Sequence, residues 1–119
     1  MPNLASRSRG RWGEARAAAH YRSIGFEIVD RNWRSPLRAV PGELDLVLLR
    51  DDQLVFCEVK ARLSRGYGGA AHAVDAAKQA RIRALAEAWL AANRLGHLDV
   101  RFDVIAIDGV TLTHHESAF

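Results

Sequence analysis

Glu43, Asp45 and Glu58 bring three carboxylates, and Lys60 an ammonium, into one stretch of sequence running from Pro41-Gly42-Glu43-Leu44-Asp45 to Glu58-Val59-Lys60. Carboxylate oxygens are hard donors that suit Mg²⁺, which is commonly held by one or two carboxylates together with water and substrate phosphate. The lysine is informative by its rarity: of 17 lysine and arginine side chains, only Lys60 and Lys78 are lysines. Arginine stays protonated under ordinary conditions, whereas a lysine ammonium is a compact charge whose pKa moves with burial and neighbours. A chain that uses guanidinium almost everywhere else marks Lys60 as chosen for its own chemistry. Together the four residues read as a metal-dependent nuclease site.

Positioning them requires a hairpin. Leu44 to Arg50 and Leu54 to Ala61 are apolar runs of strand length separated by the polar turn Asp51-Asp52-Gln53, the pattern of two antiparallel strands. With a two-residue loop at Asp51-Asp52, Asp45 falls opposite Glu58 and Glu43 opposite Lys60. The same register pairs Leu44 with Val59, Leu46 with Cys57 and Leu48 with Val55, so the other face is apolar. Val47, Leu49, Leu54 and Phe56 on the charged face are apolar too, which predicts a sheet covered on both sides, as in α/β folds. Opposed carboxylates have Cβ atoms about 5 Å apart and destabilise the sheet unless something positive offsets them. A divalent cation does so, with the backbone carbonyl of Val59 as a further ligand. The competing account is an ordinary surface ion pair of Lys60 with Glu43 or Glu58, worth about 0–1 kcal/mol.

Gly42-Glu43-Leu44-Asp45 followed by Glu58-Val59-Lys60 resembles the divided Asp…Glu-X-Lys motif of the PD-(D/E)XK nuclease superfamily, which includes restriction endonucleases and archaeal Holliday junction resolvases. More narrowly, the chain resembles the YraN family of small bacterial proteins. That resemblance runs through Gly13-Glu14, Tyr21, Gly25-Phe26, Arg31-Asn32-Trp33-Arg34, Gly42 to Asp45, Phe56 to Lys60 and the helix beginning near Lys78. It implies a restriction endonuclease-like αβββαβ core, a mixed sheet flanked by helices. It further implies that Asp45 and Glu58 bind the metal, that Lys60 orients or activates the attacking water, and that Glu14 adds an acidic group. The motif's proline is displaced: Pro41 stands four residues before Asp45 instead of immediately before it.

The remaining elements follow from composition and punctuation. Residues 1–10 are polar and carry Arg7 and Arg9, with Arg11 just beyond, and read as a flexible basic arm able to contact phosphate; residues 11–119 read as a single domain. Ala-rich sequence from Trp12 to Ser23 predicts a helix stopped by Gly25. Glu14, Ala18 and Tyr21 share one face of it, so close packing would carry Glu14 to the acidic cluster; the alternative is a solvated first-turn Glu favoured by the helix dipole. Phe26 to Trp33 reads as a strand and Arg34 to Gly42, with two prolines, as a loop. Arg62 to Ala70 is Gly-rich and reads as a loop in which Arg62 and Arg65 could hold phosphate and Tyr67 stack on a base; a solvated loop is the plainer alternative. A second helix from about Val74 to Asn93 carries the apolar stripe Val74, Ile82, Leu85, Ala86 and Trp89. Lys78 interrupts that stripe, facing the sheet, where related nucleases have a supporting polar residue; its ammonium could instead snorkel to water. Gln79, Arg81 and Arg83 read as solvent or phosphate contacts, as does Arg34. Val100 to Ile107 reads as a buried strand parallel to that of Glu58, with Asp103 facing away from the core, and Thr111 to His115 as a last edge strand. His114 and His115 point to opposite faces and cannot chelate one metal together. These two, with His20, His72 and His97, read as surface residues.

With 119 residues, the chain is expected to form one domain able to bury a real core. Its net charge of +3 and pI near 9.6 permit nucleic-acid binding. One cysteine excludes an internal disulfide, and Cys57 reads as a small core residue, not a nucleophile. The absence of an apolar leader region and of a bilayer-length segment predicts a cytoplasmic protein without membrane contact. The reading is therefore a Mg²⁺- or Mn²⁺-dependent endonuclease acting on structured or branched DNA, Holliday junction resolvase-like. A homodimer would suit a two-strand cut. The rival is a non-catalytic nucleic-acid-binding module on the same fold.

Overall fold

The computed structural model describes residues 4–62 and 74–119. Its elements are helix α1 (Leu4–Ser23), strands β1 (Glu27–Trp33), β2 (Leu44–Arg50) and β3 (Gln53–Arg62), helix α2 (Ala76–Asn93), and strands β4 (Asp99–Asp108) and β5 (Thr111–His115). The sheet runs in the order β1-β2-β3-β4-β5, antiparallel except where β3 and β4 pair in parallel. This is the expected αβββαβ core with β5 added at the edge. Arg65, Tyr67 and His72 lie outside the described residues.

Both faces of the sheet are buried, each against one helix. Ala17, Ala18 and Tyr21 of α1 pack with Leu46, Leu48, Val55, Cys57, Ile105 and Ile107. Ile82, Leu85, Ala86 and Trp89 of α2 pack with Val47, Leu54 and Phe56 on the opposite face. Period-two alternation along β2 and β3 produces this division. Small residues let α1 lie close: a Cβ on Gly13 would come within 2.9 Å of the Ala61 Cβ. The helix ends as Gly25 (φ +94°) turns the chain, with the Gly25 N–H donating to Arg22 O and that of Phe26 to Tyr21 O, a Schellman closure. Asp75 caps α2, its carboxylate accepting from the Lys78 N–H at 2.8 Å.

Several expectations need correction. α1 starts at Leu4, not near Trp12, so the backbone from Leu4 to Gly10, read as an arm, is helical; Leu, Ala and Arg are good helix formers. The hairpin has the expected register from Arg50↔Gln53 to Leu46↔Cys57, with Asp51 at φ +53° in the turn, but the ladder stops there. Asp45–Glu58, Leu44–Val59 and Glu43–Lys60 are therefore not ladder pairs. Leu44 joins the α2-side cluster while Val59 stays with α1.

Asp103 does not face away from the core: it is wholly buried. It accepts from the Tyr21 hydroxyl (2.8 Å), Arg101 Nε and a terminal guanidinium nitrogen (both 2.8 Å) and the Ser117 N–H (3.1 Å), and lies 2.7 Å from His114 Nε2. Alternation puts it beside Ile105 and Ile107 under α1, where these partners make a buried carboxylate tolerable. Burial alone would raise its pKa, but the hydrogen bonds from Arg101, His114, Ser117 and Tyr21 outweigh that and hold it below the ordinary value. His114, paired across the ladder with Ile105, is consequently part-buried and reaches His20 as well (3.0 Å), so neither is a plain surface residue. Arg83 stacks over Phe102 and Phe119 and is not simply a solvent contact. Burial pushes the Cys57 thiol up, as suits a core residue.

Candidate metal centre and its lysines

Where β2 and β3 part, the sheet leaves a pocket of about 450 Å³. α1 contributes Glu14, the segment leading into β2 contributes Glu43, and β2 contributes Asp45; β3 contributes Glu58, Val59 and Lys60, and α2 contributes Lys78. Residues scattered from the first helix to the second thus converge on one cavity.

The missing ladder pairs explain how Asp45 is held. Its carboxylate takes the place of a backbone acceptor, receiving the Val59 N–H at 2.9 Å. Burial, and after it the nearby Glu58 charge, push the Asp45 carboxyl up to about 8, against the opposing effect of the Val59 hydrogen bond. Glu14 is also raised, chiefly by burial, although its hydrogen bond to Asn32 works the other way. Ligand oxygens of Glu14, Glu43 and Asp45 lie within 4.8 Å of one another. Oxygens around an octahedral ion with bonds of about 2.0–2.1 Å are separated by about 3–4 Å, so small side-chain movements would close this set on a cation. With no His or Cys among them, the donors suit hard divalent ions. These three carboxylates could hold a metal ion.

Glu58 is 4% exposed and faces the lysines: its Oε1 lies 3.1 Å from Lys78 Nζ and 3.4 Å from Lys60 Nζ. Lys60 therefore pairs with Glu58 and not with Glu43. Both lysine side chains remain about a third exposed and line the pocket. Glu43, expected as a supporting group, joins the carboxylate set and pairs with Arg34 at 3.0 Å, so Arg34 neutralises an acid at the rim. Arg11 is exposed on α1 and Arg81 on α2, with the Arg81 stem over Gly42 at the pocket wall, while Arg62 is half-buried at the end of β3.

The site list drawn from sequence omitted Asn32. Its side-chain nitrogen donates to Glu14 Oε2 (2.9 Å) and Glu43 Oε1 (3.1 Å). Its backbone sits at φ +50°, a left-handed conformation in which Asn is enriched among non-glycine residues and which tends to persist where surrounding structure imposes it. Asn32 thus ties α1 to the segment before β2 across the mouth of the pocket. Its place inside Arg31-Asn32-Trp33-Arg34 was the only sequence signal.

A five-stranded mixed sheet between two helices, with acids and lysines gathered where its central hairpin opens, places the chain in the restriction endonuclease-like α/β class of folds. Within that class the chain belongs to the UPF0102, or YraN, family: residues 13–107 match the model described as "Uncharacterised protein family UPF0102". It is 51% identical over 98 residues to a UPF0102 protein of Frankia casuarinae, covering 82% of this chain and 80% of that protein. A relative from Rhodococcus jostii is 50% identical over 98 residues, with the same coverage. One from Syntrophotalea carbinolica is 44% identical over 116 residues, covering 94% of this chain and 91% of that protein. Among the described residues no helix is long and apolar enough to cross a membrane.

Proposed function

We propose that the chain is a Mg²⁺- or Mn²⁺-dependent endonuclease that hydrolyses phosphodiester bonds in structured or branched DNA. The observation that carries this reading is the pocket itself: acids able to hold a cation and two ammoniums able to meet a phosphate share one cavity. Glu14, Glu43 and Asp45 would hold the ion, with Glu58 and the Val59 carbonyl beside them. Such an ion, when bound, stabilises developing negative charge and lowers the pKa of its water.

The chain's own residues supply the rest. Glu58 fixes Lys60 and Lys78 at the inner wall, so both ammoniums meet the substrate phosphate already oriented. Lys60 positions the nucleophilic water and offsets phosphate charge. Asp45, whose carboxyl is pushed up to about 8 by burial and the Glu58 charge, would give up its proton in holding a cation. Arg11, Arg34, Arg62 and Arg81, together with Arg65 and Tyr67, are the candidate strand contacts. Among the described residues the pocket has no base-reading element, which favours recognition of shape over sequence.

The test is cleavage of duplex, single-stranded, flapped and four-way-junction DNA with Mn²⁺ or Mg²⁺, comparing wild type with Asp45→Ala and Lys60→Ala. Metal-dependent cleavage lost in both variants is the expected result. Cleavage of no substrate, with metal-independent binding that survives both substitutions, would overturn the nuclease and leave a binding module.

A further inference from the structure

α1 has two polar flanks on either side of its buried stripe. Gly13, Ala17, Ala18 and Tyr21 face the sheet, and Glu14 leaves on the side of Asn32 and the acidic pocket. Trp12, Arg16 and His20, spaced four residues apart, form a row on the other flank. Beside that row α1 and β5 border a groove of about 490 Å³ lined by Arg16, Ala19, His20 and Leu112. Among the described residues it shares no lining residue with the acidic pocket, and no carboxylate lines it.

Arg16 is the anomaly in this groove. Its Nη1 is the one buried side-chain nitrogen or oxygen without a hydrogen-bond partner among the described residues. The guanidinium lies over the Trp12 ring, whose centroid is 5.7 Å from Cζ. A buried donor with no acceptor is costly and uncommon; Nη1 is closed to solvent, and because the Arg16 side chain is only part-buried, a modest outward turn would bring it to an incoming acceptor. Trp12 itself is 44% exposed, so a large aromatic surface stands in water beside an unanswered cation. A planar guanidinium matches the paired oxygens of a phosphate, and an exposed indole offers a stacking surface to any base. An acidic peptide would answer Arg16 but leave Trp12 without a stacking partner. The net charge of +3 adds a general attraction for a polyanion.

We propose that the α1–β5 groove is a second nucleic-acid contact, in which Arg16 takes a backbone phosphate and Trp12 stacks on a base of a single-stranded segment. The choice of nucleic acid rests on the nuclease reading, but the contact requires neither metal nor cleavage. It would seat an unpaired arm of the substrate while the acidic pocket acts elsewhere on the same molecule.

The experiment is fluorescence-anisotropy binding of a labelled single-stranded oligonucleotide to the full chain in EDTA, comparing wild type with Trp12→Ala and Arg16→Gln, and with AMP as competitor. Thermal melts confirm that each variant folds. Trp12→Ala is expected to weaken binding about tenfold, from the loss of one stacked base, and Arg16→Gln several-fold. Wild-type affinity in both groove variants would overturn the proposal, as would the absence of oligonucleotide binding by wild type. Displacement by AMP at oligonucleotide-like concentration would replace the strand contact with a mononucleotide site. The two readings separate cleanly: loss of binding in the groove variants of a protein that cleaves nothing sinks the nuclease alone, and intact binding in groove variants of a protein that cleaves sinks the groove alone.

Discussion

Asp45→Asn should make the metal-free protein more stable while abolishing its use of metal. The Asp45 carboxyl has its pKa pushed from 3.8 to about 8, first by burial and then by Glu58. A carboxyl with a raised folded-state pKa costs nothing where both states are protonated. From about pH 4 upward the unfolded chain ionises and the folded one does not, so stability falls as pH rises, with the penalty complete above about pH 8. At 1.36 kcal/mol per pH unit the ceiling is about 6 kcal/mol. Lys60 and Lys78 counter the Glu58 charge and water enters the open pocket, so we expect about 2–3 kcal/mol. Asparagine keeps an oxygen for the Val59 N–H and does not titrate. At pH 8.5 in EDTA the variant should therefore melt about 6–15 °C above wild type, at about 3–5 °C per kcal/mol for a domain of this size, with the gap closing toward pH 4. Mn²⁺ should raise the wild-type melting temperature and leave that of the variant nearly unchanged. A gain that does not vary with pH, or a variant less stable than wild type at pH 8.5, would refute the reasoning.

Four further outcomes follow from the structure. Asn32→Gly, which frees the backbone at φ +50° but removes the amide shared by Glu14 and Glu43, should keep the fold and lower Mn²⁺ affinity about tenfold by calorimetry; unchanged affinity would reduce Asn32 to a backbone role. Tyr21→Phe takes one donor from buried Asp103 and should cost about 1.5–3 kcal/mol in urea unfolding. Because Asp103 is held below its ordinary pKa, its contribution is complete above about pH 4 and is lost as pH falls through the folded value, so Asp103→Asn should flatten the acid limb of the stability curve. Gly13→Ala places a Cβ 2.9 Å from that of Ala61 and should destabilise by about 1–3 kcal/mol even though Ala is the better helix former; equal or greater stability would show that α1 can move away without penalty.

The hairpin and its turn were legible because a two-residue loop and period-two alternation leave one register. The crossing from β3 through α2 to parallel β4 was legible for a similar reason: a helix between two buried strands favours it. The end of the ladder was not legible, since the Asp45 side chain displaces a backbone partner there, and strand patterning does not register such substitutions. Asp103 shares its parity with the inward-facing Ile105 and Ile107, but its charge suggests solvent; what makes burial tolerable is Arg101, two residues earlier on the same face. Glu58, Lys60 and Lys78 came together as their types suggested, whereas Asn32 and Arg16 stayed hidden because the contacts that define them involve residues distant in sequence or, for Arg16, a partner that is missing.

Glu14 and Arg16 stand two residues apart on one rigid rod, and Tyr21 pins that rod's rotation through its bond to Asp103. Each residue of an α-helix advances the azimuth by about 100°. Deleting or inserting a single residue between Arg16 and Tyr21 would therefore swing both Glu14 and Arg16 off their targets at once, even if the helix and core re-formed perfectly. Length changes from Leu4 to Gly10, upstream of both, would leave the phase untouched. The segment between Gly13 and Tyr21 thus works as a keyed shaft: tolerant of many substitutions on its outer surface, intolerant of any change in count.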